Sequence, residues 1–441
     1  MTAPRPRRLK TLVGAANFTV AHNDAAPDLA GKRAVELARK AEAARITGLF
    51  TADLLHADPN GLSGTTGTQD PLIALAALSQ ATSRIGLIAT VSTTYLHPYN
   101  LARAIGTLDH ASGGRAAWNA VTSSVGEENF GGGDIPTPAE RYERATEFIE
   151  IVNALFDANE PEAVTRRSSG AISLDHRRLH GVDYRGKHFR VAGPLNVPPP
   201  PQGRPVQFQA GQSSDGVRLG ARLAEVVYTS QPTLPDALAF VGELRRQARS
   251  FGRGEGLPLV MNSLHSVIGE SEADVARRVK AKHEAIDYER GRLQLADMLG
   301  GDIDLSDLPL DRPLPENRLP SVEDARRRRG RIEIFRRYAL QGLSVRELIV
   351  QAGETGHWNV AGTPEAIAEA VKERFDAGVL DIVSLHGLGN PDQEDLLLNG
   401  LLPELRKRHL LDEDYVEGGF RANLGLPDYQ RTVSYDHLAV A

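Results

Sequence analysis

Eight short apolar runs, each followed by a longer amphipathic stretch, predict an α/β chain folded as a closed (β/α)8 TIM barrel with insertions and an extended C-terminal tail. The apolar runs are continuous instead of alternating, as strands buried on both faces should be. Strand and helix patterns alternate, which demands parallel pairing. Eight units without a return point suit a closed barrel better than a doubly wound open sheet.

The strands are expected at Leu12–Phe18, Gly48–Asp53, Ile85–Thr93, Ala116–Thr122, Val206–Gly211, Val226–Ser230, Leu259–Val267 and Asp381–His386. Between them, Lys32–Ala44 carries Val35, Leu37, Ala38 and Ala41 at helical spacing. Asp70-Pro71 opens the next helix with a capping residue and a proline at the first position. Further helices are expected at Tyr99–Ala111, Arg141–Asp157, Asp215–Leu223, Asp236–Phe251, Glu272–Tyr288 and Pro364–Ala377. Two stretches break the rhythm. Residues 159–204, with small polar turns and the run Pro198–Pro201, read as an inserted hairpin or loop. Residues 289–358 are charged, proline-punctuated and partly helical, and read as a lid inserted before the last unit. The tail 411–441, with Tyr415, Phe420, Tyr429 and Tyr435, is too irregular for a barrel element; it is expected to wrap over the surface or onto a neighbouring subunit. The whole of 1–441 reads as a single domain, with the barrel over about 10–410.

Composition narrows the function. The 441 residues carry 51 basic and 57 acidic side chains, a net charge of −6, where a nucleic-acid protein usually shows a basic excess. The absence of cysteine excludes disulfides, thiolate catalysis, iron–sulfur clusters and thiolate zinc sites. No apolar run approaches the about 18 residues of a membrane span, and the basic start MTAPRPRRLK lacks the apolar core of a signal peptide. A cytoplasmic protein is expected, with neither nucleic-acid nor membrane partners.

Barrel chemistry sits at the C-terminal ends of the strands. There the sequence places Asn17 and Phe18; Asp53; Thr90, Ser92 and Thr93; Asn119, Thr122 and Ser123; Ser213 and Ser214; Thr229 and Ser230; Ser263 and His265; and Ser384 and His386. One carboxylate among neutral hydrogen-bonding groups is not the carboxylate pair of a glycosidase, nor the ligand cluster of a hydrolytic metal site. The set suits a planar, amide-rich cofactor such as a flavin ring, although hydroxyls at strand ends also serve as plain turn caps. Gly211 to Gly216 (GQSSDG) follows a strand and opens a helix, as a phosphate cradle or a simple helix cap would. Asp175-His176 with His180 has metal-like spacing but lies among Arg177 and Arg178, so no metal site is expected. The run Arg326–Arg329 with Arg331, Arg336 and Arg337 reads as a solvated helix face beside Glu323 and Glu333. Gly252, Gly254 and Gly256 precede a strand, the wrong order for a dinucleotide fingerprint.

Several segments in order resemble one family: Phe50-Thr51-Ala52-Asp53, Arg84 to Leu87, Ser92 to Arg103, Leu108-Asp109-His110, Gly113 to Asn119 with Val121-Thr122-Ser123, Arg141 to Arg144, Gln209 to Ser213, and Gly362-Thr363-Pro364-Glu365. They are similar to the bacterial luciferase-like flavin-dependent monooxygenases, in the branch holding nitrilotriacetate monooxygenase component A and dibenzothiophene-sulfone monooxygenase. The resemblance implies FMN at the strand ends, with Asp53 at the ring system. It places Thr90, Ser92, Thr93 and Asn119 along the isoalloxazine and ribityl chain, and Tyr142, Ser213 and Ser214 on the phosphate. Pro138 departs from it, standing where relatives often carry a histidine, so that a flavin contact is lost or supplied by another group.

The same resemblance implies a two-component monooxygenase. A separate NAD(P)H:flavin reductase supplies FMNH2, O2 is co-substrate, and a C4a-(hydro)peroxyflavin passes one oxygen atom to a small organic substrate. His357 and His97 are the candidate acid–base residues, and a homodimer or homotetramer is expected. The rivals are a deazaflavin-dependent oxidoreductase of the same superfold and a flavin-binding protein without catalysis.

Overall fold

A computed structural model describes residues 6–15, 31–57, 69–166, 172–301, 303–322 and 329–429. Its barrel strands are β1 (Lys10–Gly14), β2 (Gly48–Thr51), β3 (Gly86–Ser92) and β4 (Ala116–Val121), then, beyond an insertion, β9 (Val206–Ala210), β10 (Val226–Thr229), β11 (Leu259–Ile268) and β13 (Ile382–Leu385). They pair in parallel around a closed ring of eight, β1-β2-β3-β4-β9-β10-β11-β13 and back to β1. Every expected strand forms. The first ends at Gly14, and positions 16–18 of the expected Leu12–Phe18 lie outside the described residues.

The helices follow their capping chemistry. They are α1 (Lys32–Ala43), α2 (Pro71–Ala81), α3 (Pro98–Ser112), α4 (Pro138–Ala158), α5 (Ser214–Leu223), α6 (Leu234–Ser250), α7 (Glu272–Glu284) and α11 (Pro364–Asp376). Asp70 caps α2 by accepting from the Ile73 amide at 3.0 Å, and Thr137 with Glu140 forms a full capping box on α4. The expected helix Glu272–Tyr288 breaks in two. Asp287 accepts from the amides of Glu289 and Arg290 and so starts α8 (Tyr288–Met298).

Insertion 159–204 contains two small antiparallel hairpins, β5 (Val164–Arg166) with β6 (Ile172–Leu174) and β7 (Tyr184–Arg185) with β8 (Arg190–Val191). Insertion 289–358 builds α8, α9 (Arg329–Leu340) and α10 (Val345–Gly353) around its own apolar cluster, which includes Leu295, Leu299, Phe335 and Leu348. The sequence reading misses β12 (Trp358–Gly362), a short strand that adds to the upper half of β11 from Leu264↔Trp358 to Ile268↔Gly362. After β13 the chain closes with α12 (Leu402–Lys407) and α13 (Gly419–Asn423).

Successive strand residues alternate between faces. The inner barrel core is Leu12, Phe50, Ile88, Ala117, Phe208, Val226, Met261 and Ile382. The same parity carries Thr90, Asn119, Tyr228, Ser230, Ser263, His265, Ser384 and His386 to the inner face nearer the C-terminal mouth. The opposite mouth is closed by the tail. Phe420, fully buried, stacks on Phe208 at 6.4 Å between ring centroids, with Leu424 and Leu426 beside it. A Cβ on Gly86 would stand 2.1 Å from the Phe420 ring, so the plug fits only against glycine. Buried Arg421 pairs with Glu225 at 2.5 Å. The expectation for the tail is therefore corrected as far as Tyr429: its apolar residues fill this chain's own barrel, because a ring of eight strands leaves its floor open without them. Tyr435 lies outside the described residues. Among the described residues no helix is long and apolar enough to cross a membrane.

Candidate active site

The C-terminal ends of the strands open into a cavity of about 810 Å³, whose walls include Asp53, Tyr142, Ser213, Ser214, Ser230 and His357. A second cavity of about 840 Å³ lies at the other end, between strand starts and the tail, and none of the expected site residues lines it.

One wall of the mouth is built for an anion. Ser213 ends the β9 loop and caps α5, its Oγ accepting from the Gly216 amide at 3.2 Å. The same hydroxyl donates to Tyr142 Oη at 3.3 Å, which ties the helix start to α4. The turn has no room for side chains: a Cβ on Gly216 would lie 2.9 Å from both the Gly211 carbonyl carbon and Tyr142 Oη. Backbone amides and hydroxyls thus converge at the positive end of a helix. Ser214 is the exposed first residue of α5 and also lines the cavity. Pro138 is the first residue of α4 and borders the cavity without a side-chain hydrogen-bonding group.

Deeper in the barrel, Asn119 Nδ2 donates to Thr90 Oγ1 at 3.1 Å across the β3–β4 pair. Asn119 Oδ1 is buried and has no hydrogen-bond partner among the described residues. An orphaned buried acceptor is costly unless something completes it. Ser92 and Thr93 serve the turn above β3 instead of the cavity wall. Ser92 Oγ accepts from Ser123 Oγ at 2.8 Å and from the Tyr95 amide, while Thr93 Oγ1 donates to the Val121 carbonyl at 3.0 Å.

Asp53 follows β2 and faces the cavity; burial, reinforced by the charge of Asp70, pushes its carboxyl up to about 6.

Around the rim from β10 to β13, aromatic side chains stack. The His357 ring lies parallel to His265 at 4.9 Å and to Tyr228 at 6.0 Å, and His386 stands 4.2 Å from His265. Arg331, from α9, donates through Nη2 to Ser230 Oγ at 2.9 Å and to His357 Nε2 at 3.2 Å. That leaves the proton on His357 Nδ1, which donates to Ser230 Oγ at 2.7 Å. Burial and the Arg331 guanidinium hold His357 neutral, its pKa well below the ordinary value. His265 meets Glu354 at 2.8 Å, yet burial, with Lys282 and Arg331 nearby, lowers its pKa to about 4.

The structure does not bring His97 to this cavity. It is exposed and caps α3, with Nδ1 accepting from the Tyr99 amide at 3.3 Å, because it directly precedes the Pro98 that starts the helix. Asp175 caps a turn and pairs with Arg177, and His180 hydrogen-bonds Glu160 at 3.0 Å, so these side chains have protein partners within the insertion. The reading of the basic run is corrected at Arg331: it lines the cavity and bonds within it instead of facing solvent. Residues 326–328 lie outside the described residues.

Residues 15–381 match the family model of the luciferase-like monooxygenases. N-acetyl-S-(2-succino)cysteine monooxygenase of Bacillus subtilis (strain 168) is 36% identical over 89% of this chain and 89% of its own length. Nitrilotriacetate monooxygenase component A of Aminobacter aminovorans is 34% identical over 90% of each. Among solved structures, a riboflavin lyase with modified FMN and substrate riboflavin superposes with a TM-score of 0.81 at 27% identity, covering 95% of this chain and 96% of that one. The ordered motifs, the closed barrel with its glycine-cornered cradle and these matches agree: the chain belongs to the luciferase-like monooxygenase family.

Proposed function

We propose that the mouth binds reduced FMN and that the chain is the oxygenase of a two-component monooxygenase, placing one atom of O2 into a small organic substrate. One observation carries the reading: the Ser213–Tyr142 cradle and the unpartnered Asn119 Oδ1 belong to neighbouring barrel units, β9 and β4. A ligand with a phosphate at one end and a ring N–H donor at the other completes both. The relatives, one a nitrilotriacetate monooxygenase component A and one a riboflavin lyase structure with modified FMN, support the same assignment.

Bound reduced flavin supplies the activation of O2. The chain's own residues bind, orient and shield. Ser213, Ser214 and the α5 amides hold the phosphate, Tyr142 fixes the Ser213 hydroxyl, and Asn119 Oδ1 accepts a ring N–H. Asp53, near 6, holds or releases a proton at its carboxylate close to neutral pH. His357 is assigned a positioning role in place of proton transfer, since its ring nitrogens are engaged by Ser230 and Arg331. The helices of the 289–358 insertion limit water at the mouth.

The test supplies the protein with FMN, NADH and NADPH in air and follows nicotinamide absorbance. Oxidation is expected only after a separate flavin reductase is added. Steady oxidation proportional to this protein alone would overturn the two-component reading. Failure to bind FMN in a fluorescence titration would overturn the flavin site itself.

A further inference from the structure

Gln209 stands on β9, two residues before the cradle loop begins to turn at Gly211. Its neighbour Phe208 faces the barrel interior, so Gln209 points outward beneath α5, where it is only 1% exposed. Two glycines make room for its amide. A Cβ on Gly220, within α5, would lie 2.8 Å from Gln209 Oε1, and a Cβ on Gly211 would lie 2.5 Å from Gln209 Nε2. Neither Nε2 nor Oε1 has a hydrogen-bond partner among the described residues. A buried amide in that position costs stability that an apolar side chain would not. Packing alone gives no reason for a glutamine here.

The Nε2 end lies beside the phosphate cradle. The point that a Cβ on Gly211 would occupy is 2.5 Å from Gln209 Nε2 and 3.0 Å from Tyr142 Oη. In this structure Tyr142 Oη accepts the Ser213 hydroxyl at 3.3 Å. That hydroxyl has a single proton. It cannot serve Tyr142 and an anion in the cradle at once, so a Ser213 that turns its proton to a phosphate leaves Tyr142 Oη in need of another donor. The Gln209 amide is the buried donor next to it. We propose that Gln209 is a positioning residue for phosphate binding: its Nε2 donates to Tyr142 Oη when the Ser213 hydroxyl swings to the ligand, so that Tyr142 stays in place and turns its own proton to the phosphate. The proposal rests on the reading of the mouth as an FMN site. It concerns the phosphate end alone, which makes riboflavin the internal control.

Gln209→Met, which keeps the length and removes the amide, is tested by fluorescence titration with FMN and with riboflavin, and by melting the flavin-free protein. FMN should bind roughly three- to tenfold more weakly, the effect of losing one hydrogen bond, while riboflavin affinity stays unchanged. The flavin-free variant should melt at or above the wild type, because it no longer buries the amide. Tyr142→Phe should also weaken FMN, and adding Gln209→Met to it should weaken FMN no further. Gln209→Leu carries the same expectations should the thioether pack badly. Equal weakening of both flavins, an unchanged FMN affinity, additive losses in the double variant, or melting well below the wild type in both apolar variants would each overturn the proposal. A wild type that prefers FMN over riboflavin, with that preference intact in Gln209→Met, would remove the proposal alone. A wild type that binds neither flavin would remove the flavin reading and the proposal with it.

Discussion

Tyr142 and Ser213 lie 71 residues apart in sequence, yet their oxygens meet at 3.3 Å and fasten the start of α5 to α4. On the reading proposed above, this contact fixes where a phosphate sits. Removing the hydroxyl with Ser213→Ala should cost about 1.5–3 kcal/mol of FMN binding, roughly tenfold or more, and leave riboflavin nearly unchanged. Ser213 also caps α5, and loss of a cap destabilises by about 1 kcal/mol, but by less when glycine replaces it. Ser213→Gly should therefore weaken FMN to the same extent with a smaller loss of melting temperature. Equal weakening of FMN and riboflavin by fluorescence titration would remove Ser213 from the phosphate.

Asn119 gives the opposite signature. Its unpartnered Oδ1 lies in the barrel interior, so Asn119→Leu should weaken FMN and riboflavin alike, by on the order of 1 kcal/mol. Parallel titrations of the two flavins check this.

Acid should loosen the rim. His265, lowered to about 4, and His357, lowered well below its ordinary range, stay neutral in the fold, while in the unfolded chain they gain protons near pH 6.5. From about pH 6.5 downward the unfolded state binds more protons, so stability falls, by at most about 1.4 kcal/mol per pH unit and group. Asp53 has the opposite sign. Its carboxyl, raised to about 6, contributes stability at low pH that is lost as pH climbs from its unfolded value toward 6. With His386 beside them, lowered by burial to about 3, three groups outweigh one. The drop in melting temperature between about pH 7 and pH 5 should be smaller in His265→Gln and His357→Gln than in the wild type; an unchanged drop would contradict the lowered values.

The barrel floor rests on one ring. Phe420→Ala removes a fully buried phenyl against Phe208 and Gly86 and should cost about 3–5 kcal/mol. Gly86→Ala should be damaging alone, because its methyl meets the Phe420 ring, and far less so in the Phe420→Ala background. Additive losses in urea melts of the double-mutant cycle would refute the contact.

Much of this was legible beforehand, for definite reasons. Strands buried on both faces leave short apolar runs such as Gly48–Thr51 and Gly86–Ser92; the apolar run Leu72–Leu78 would read alike, but Asp70-Pro71 before it announces a helix start. The cradle was legible because its turn needs Gly211 and Gly216. Other features depend on contacts between distant segments. Arg331 reads as one more basic residue on a charged helix, and only the packing of Gly330 on Gln212 turns it inward. His97 carries the chemistry of a catalyst and the position of a helix cap. Strand β12, short and partly exposed, forms only because β11 runs long enough to pair with it.

The Phe420 plug bears on how the chain is made as well as on how it stands. The last barrel strand, β13, leaves the ribosome before the residue that floors the barrel does. In the complete chain Phe208, Ile88 and Met261 share one buried cluster with Phe420, so every apolar contact on that side of the ring depends on residues made last. A chain that stops short of α13 lacks the ring that floors the barrel and should melt well below the full chain. A cut after Leu411 removes no residue of the mouth and still takes away the floor beneath it.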